Sequence, residues 1–253
     1  MNQQQALFEY LLRMADDRLI LGHRISEWCG HGPILEEDIA LSNIALDLIG
    51  NAANLLEYAA EVEAKGRDQD DLAYLRDERE YRNIKMVELP KGDFGFTIAR
   101  QFLFSVWSYL HLKALQESTD QTLKGLAQKA FKETQYHLRH AREWMLRLGD
   151  GTEESHRRVQ QSLNELWRFT GELFSQDEVD KTLMNAGIIP KMENLRSGWN
   201  SLVAEVLEEA TLEKPDEQQY MVSGGRQGLH TEHLGHLLAD MQYLQRSYPE
   251  AEW

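Results

Sequence analysis

The stretch FKETQYHLRHAREWMLRL, Phe131 to Leu148, decides the fold. With Ala127 ahead of them, Phe131, Thr134, Leu138, Ala141, Met145 and Leu148 recur at alternating steps of four and three. That is the stripe of a helix packed lengthwise in a bundle. His137 flanks this seam. Far upstream, Leu41, Ala45, Leu48, Ala52, Leu55, Ala59 and Val62 repeat the same alternation. Superimposing the two seams puts Leu48 where Thr134 stands and Asn51 where His137 stands.

Those slots matter because carboxylate-bridged di-iron bundles place a Glu-x-x-His pair on each of two helices and one further carboxylate on each of the other two. Here the pairs read Leu48-x-x-Asn51 and Thr134-x-x-His137. Three of the four donor positions carry a side chain that is no usual iron ligand, and a lone imidazole cannot hold two hard cations. The frame reads as that of a di-iron protein without its iron. Glu133, one turn before His137, falls further from the seam toward solvent and is expected as a surface carboxylate rather than a ligand.

The formal charge of −15, from 42 acidic against 27 basic side chains, excludes the basic footprint that nucleic acid or an anionic membrane surface requires. Cys29 is the single cysteine, so the chain forms no internal disulfide, and it is expected to be buried or idle rather than nucleophilic. The start MNQQQALFEY lacks a basic segment followed by an apolar core, and no apolar run approaches the roughly 20 residues of a membrane span. A cytoplasmic protein with one large domain over residues 1–253 is the expectation.

Five prolines and 17 glycines leave long stretches of three-four spacing uninterrupted, which predicts a nearly all-helical chain. Helices are expected at about 4–29, 38–64, 94–118, from the STDQ turn to 148, 153–174, 193–212 and 230–247. A short helix precedes the 193–212 one, with Ser175 and Glu178 as its capping box. The run Arg76 to Glu80 reads as a solvated charged face. Ser105 lies on the apolar edge of its helix, where a small hydroxyl commonly bonds its own backbone. His230, His233 and His236 step by three, spreading over about 120° of a helix, so they cannot all converge on one ion. Two of them with a distant carboxylate could bind zinc, against capping and packing roles. Gly224, Gly225 and Gly228 around Arg226 could cradle a phosphate, against a plain flexible turn.

The segments SEWCGHGPILEEDIALSNIALDLIGNAANLLEYAAE, LAYLRDEREYRN, KETQYHLRHAREWM, LWRFTGELF and GLHTEHLGHLLADMQYLQR together resemble the C subunits of the bacterial phenylacetyl-CoA 1,2-epoxidases of phenylacetate degradation. The likeness spans essentially the whole chain. It implies an all-α, ferritin-like four-helix bundle with additional C-terminal helices, paired with a homologous catalytic subunit that carries the di-iron centre and the phenylacetyl-CoA site. Carried over by motif, the ligand positions fall at Glu27, at Leu48 with Asn51, at Ser105, and at Thr134 with His137. Only Glu27 and His137 keep a donor of the expected kind. If both point inward they would need each other or another polar partner.

The expectation is a non-catalytic structural subunit of a multicomponent monooxygenase, without metal or cofactor of its own, that binds and stabilises the di-iron catalytic subunit. Self-association of the isolated chain as a homodimer stays open. Two other readings are carried beside it. One is an independent metal-dependent oxidoreductase using His137 with Glu27 or Glu133, or the C-terminal histidines. The other is an acyl-CoA carrier site at the glycine turn and Arg226.

Overall fold

The computed structural model describes residues 1–216, 218–248 and 251. Glu217, in the polar stretch expected before the last helix, lies outside them. The described residues form α1 (Gln3–Ser26), α2 (Leu35–Glu63), α3 (Gln69–Tyr74), α4 (Lys85–Glu88), α5 (Phe94–Leu115), α6 (Gln121–Gly149), α7 (Glu153–Trp167), α8 (Glu178–Asn185), α9 (Met192–Glu209), α10 (Glu232–Met241) and α11 (Tyr243–Ser247), with short 3₁₀ turns between them and no strand. The fold is all-α, as expected. Two compact units are distinguished: residues 1–90 with 223–253, and residues 91–222.

The first unit is built on the α1–α2 hairpin. A capping box starts α1, with Gln5 N–H donating to Asn2 at 2.8 Å and Asn2 N–H to the Gln5 side chain at 3.3 Å. The two helices run antiparallel, so the Gln4 side chain near the start of α1 donates to the Val62 carbonyl near the end of α2. They pack closely because Gly22 has no side chain: a Cβ there would meet Ile49 at 2.8 Å and Leu48 at 3.3 Å. Helix α2 starts at Leu35, before the expected Asp38, which places Glu36, Glu37 and Asp38 in its first turn, where acids complement the helix dipole. Among the described helices α2 alone is long and apolar enough to cross a membrane. The sequence expectation missed this; between Asp38 and Glu57 the helix carries one charged side chain, Asp47. Its inward seam of Leu41, Ala45, Leu48, Ala52, Leu55 and Ala59 is buried as expected.

The second unit is built on the α5–α6 hairpin. Helix α5 is buried on nearly every side, the behaviour of a central helix. Asp93 caps it through Phe96 N–H and Asp120 caps α6 through Leu123 N–H, each at 2.8 Å. Tyr109 stacks on Phe131, Phe94 meets Trp144 edge-on, and the Trp199 indole of α9 donates to the Leu103 carbonyl at 3.0 Å.

Three local expectations are corrected. The helix expected over 153–174 stops at Trp167 and continues only as a 3₁₀ turn, Thr170–Phe174. The capping box of α8 is Asp177 with Asp180, two residues beyond the expected Ser175 and Glu178; Ser175 bonds back to the Glu172 carbonyl instead. The last helix breaks at Gln242, whose buried side chain donates to the Arg76 carbonyl and to the Tyr81 hydroxyl. Beyond the break, Leu244 is exposed rather than part of an inward stripe.

Candidate functional site

In the first unit, Leu48 and Asn51 are buried side by side on α2, one helical step of three apart. Leu48 fills its slot with hydrocarbon, close to Gly22 of α1. Glu27 sits at the C-cap of α1, and its carboxylate accepts from Arg24 Nη1 at 2.6 Å. The rest of that guanidinium is committed to the Glu88 carbonyl at 3.0 Å and the His233 carbonyl at 2.9 Å.

In the second unit, Thr134 and His137 are buried on α6, with His137 only 2% exposed. The buried line there is Ala127, Ala130, Thr134, His137 and Ala141, so His137 lies on the seam rather than beside it. Phe131 and Leu138 move to its half-buried edge. His140, not anticipated, is buried one turn on, and Tyr136 lies 6.3 and 6.1 Å from the two imidazoles. Ser105 faces the interior as expected, but it accepts from the Gln101 side chain at 3.1 Å. Glu133 is half-buried rather than on the open surface.

The donor chemistry of these positions does not fit a di-iron centre. A leucine offers no donor, an amide, a serine and a threonine are poor ligands for an oxygen-activating iron, and one carboxylate with one imidazole falls well short of the six donors such a frame supplies. Among the described residues no group of three or more His, Cys, Asp or Glu side chains is placed to hold a metal ion.

The other candidates resolve into separate environments. His230 packs against Glu88, with Nδ1 at 2.8 Å from the carboxylate and Nε2 at 3.0 Å from the Tyr81 carbonyl. His233 is half-buried and His236 exposed, so the three diverge. Cys29 is an exposed free thiol, contrary to the buried alternative. In the glycine turn, Gly225 lies against the Asn83 and Ile84 backbone, where a Cβ would come within 2.3 Å of the Asn83 oxygen. Arg226 turns inward and grips Asp17 with two bonds of 2.9 and 2.8 Å, donating also to the Arg82 carbonyl. The turn is therefore a packing element, and its guanidinium faces the protein rather than a phosphate.

Charge that the sequence suggested was solvated is buried. Arg76 is 3% exposed and pairs with Asp16, itself fully buried, through Nη1 at 3.0 Å and through Nη2. Burial opposes the Arg76 charge, but Asp16 outweighs it and holds the guanidinium above its ordinary value. Asp17 is pushed up by burial, against the pull of Arg226 and the Ile84 N–H. The adjacent acids in LLRMADDRLIL were the available signal, since charge inside an apolar helix needs a partner.

A cleft of about 340 Å³ brings Glu27 together with His23, His236 and Asp240. Burial there lowers the His23 pKa from 6.5. Below pH 6.5 the unfolded chain takes up a proton that the folded ring resists, so stability present above that pH is lost as pH falls. His23→Gln is expected to make the acid side of a urea-midpoint profile shallower. A profile superimposable on the wild type would contradict this.

The chain matches the phenylacetic acid catabolic protein family over residues 1–253. It is 50% identical, over 253 residues and the full length of both chains, to the C subunit of the 1,2-phenylacetyl-CoA epoxidase of Escherichia coli (strain K12). With both units covered by the match, the chain belongs to the phenylacetic acid catabolic protein family.

Proposed function

We propose that the chain is a non-catalytic structural subunit of a multicomponent phenylacetyl-CoA 1,2-epoxidase, acting in the cytoplasm in aerobic phenylacetate catabolism. It binds the homologous di-iron catalytic subunit and keeps that subunit folded and soluble. The observation that carries this is the donor set: Leu48, Asn51, Ser105 and Thr134 stand where iron ligands would be, in a chain aligned end to end with its Escherichia coli relative. Leu48 and Thr134 remove carboxylates whose charge, without iron, would be costly to bury. The vacated positions are thus compatible with a stable helical core that has no chemistry to perform.

Co-expression tests it. The catalytic subunit is expected to co-purify with this chain in fixed ratio, and to be more soluble and more active with it than alone. A catalytic subunit equally soluble and active by itself would overturn the reading. So would stoichiometric iron, manganese or zinc in the gel-filtered chain that is lost on His137→Ala, an outcome that would restore an independent metal enzyme. We also read residues 1–253 as one ferritin-like domain, supported by a family match without a break, and expect a single cooperative unfolding transition.

A further inference from the structure

Helix α2 carries a second apolar seam, about 120° round the helix from its buried one. Leu35, Ile39, Ser42, Leu46, Ile49 and Ala53 follow the same four-three alternation, with Ser42 and Ala53 half-buried and Ile49 turned toward Gly22 of α1. Leu35 is 72% exposed, Ile39 53% and Leu46 67%, with Ile34 exposed beside them. Scattered single apolar side chains on a surface need no explanation, but three of them in register along one helix face do. The same helix holds seven acidic residues in its 29 and no lysine, arginine or histidine. Glu57 is exposed close to the line of the seam, and Glu36 and Glu61 are exposed further round the helix on its solvent side.

We infer that this face of α2 docks an amphipathic helix of the catalytic subunit whose apolar stripe is flanked by lysine or arginine. The inference rests on the subunit reading above and adds the surface and the chemistry of its partner. Charge selects the occupant. A second copy of this chain would set an all-acidic helix against itself, and like charges across an interface are costly, whereas basic flanks would pair with Glu36, Glu57 and Glu61. The seam supplies the desolvated centre of the contact and the acids its rim. Obligate interfaces bury on the order of 2,000–5,000 Å², so the seam is the core of a wider surface.

The test measures affinity between the full-length chain and the catalytic subunit at low and moderate salt. Leu46→Asp is expected to weaken binding on the order of 100-fold, with an unchanged circular dichroism spectrum because the side chain is exposed. Glu57→Lys with Glu61→Lys, in solvent and harmless to folding, is expected to weaken binding and flatten its salt dependence. Tyr220→Asp, 75% exposed in the other unit, is expected to bind as the wild type does. Wild-type affinity in both α2 variants would overturn the docking surface and leave the subunit reading standing. No binding by the wild-type chain would overturn both. Self-association of the wild type that Leu46→Asp abolishes would show the occupant to be a second copy and overturn the assignment.

Discussion

Arg76→Met is expected to cost about 3–5 kcal/mol of stability, because it strands the Asp16 carboxylate inside the first unit. Asp16 has no exposed surface, and its two oxygens are shared between the Arg76 guanidinium and the Arg82 N–H, the latter at 2.7 Å. Arg76 also donates to the Leu72 and Glu80 carbonyls, and its guanidinium lies 4.3 Å from the centre of the Tyr81 ring. A methionine fills similar volume but replaces none of these bonds. Removing both charges, as Asp16→Leu with Arg76→Met, is expected to cost less than Arg76→Met alone, since no unpaired charge is then buried. The double variant still orphans the Arg82 N–H, so it should not regain full stability. Urea unfolding of the two single variants and the double closes the cycle. A double variant less stable than either single would show that packing, not the stranded charge, sets the cost.

What was legible in the sequence follows from which forces are periodic. The apolar seams of α2 and α6 repeat along the chain, so they located both hairpins and the slots at Leu48, Asn51, Thr134 and His137. The α6 seam was read one step off because Phe131 and Leu138 are larger hydrophobes than Ala130 and His137, yet the close packing line takes the smaller residue and the imidazole. The α1 and α5 positions, Glu27 and Ser105, came only from family resemblance. No periodicity marks a single residue. The buried polar pairs were missed because their partners lie far apart in sequence: Asp16 with Arg76, Asp17 with Arg226, Glu88 with His230. Along the chain, Arg76 is one charge in a run of five, and nothing local separates the buried member from its solvated neighbours. The outward seam of α2 was equally legible as spacing, but spacing alone does not say which of two apolar stripes faces the core.

The same pairs predict how the C-terminal segment is held, and Glu88→Ala should release it. In the first unit, α10 buries only Leu234, Leu237 and Leu238, too little apolar surface to fix a segment so distant in sequence from α1. Polar bonds supply the rest. The Glu88 side chain, fully buried, accepts from Asn83 at 2.8 Å, from the Thr231 N–H at 2.5 Å and from His230. The Thr231 bond satisfies a backbone donor at the start of α10, where no side chain of the Thr231 cap does so. Both ring nitrogens of His230 are held, Nδ1 by the Glu88 carboxylate at 2.8 Å and Nε2 by the Tyr81 carbonyl at 3.0 Å. Truncation to alanine therefore leaves a buried imidazole, an amide and a helix-start N–H without their acceptor. A loss of about 3–5 kcal/mol is expected. Because Arg226, Lys85 and Gln242 hold the segment at other points, the failure should begin locally. Hydrogen exchange is expected to rise first in 229–241, with α6 in the other unit keeping its protection. Glu88→Gln, which preserves the shape and an acceptor oxygen while removing the charge, should fall between alanine and the wild type. Equal exchange in the alanine variant and the wild type would mean that the apolar contacts of α10 suffice and the clasp is incidental.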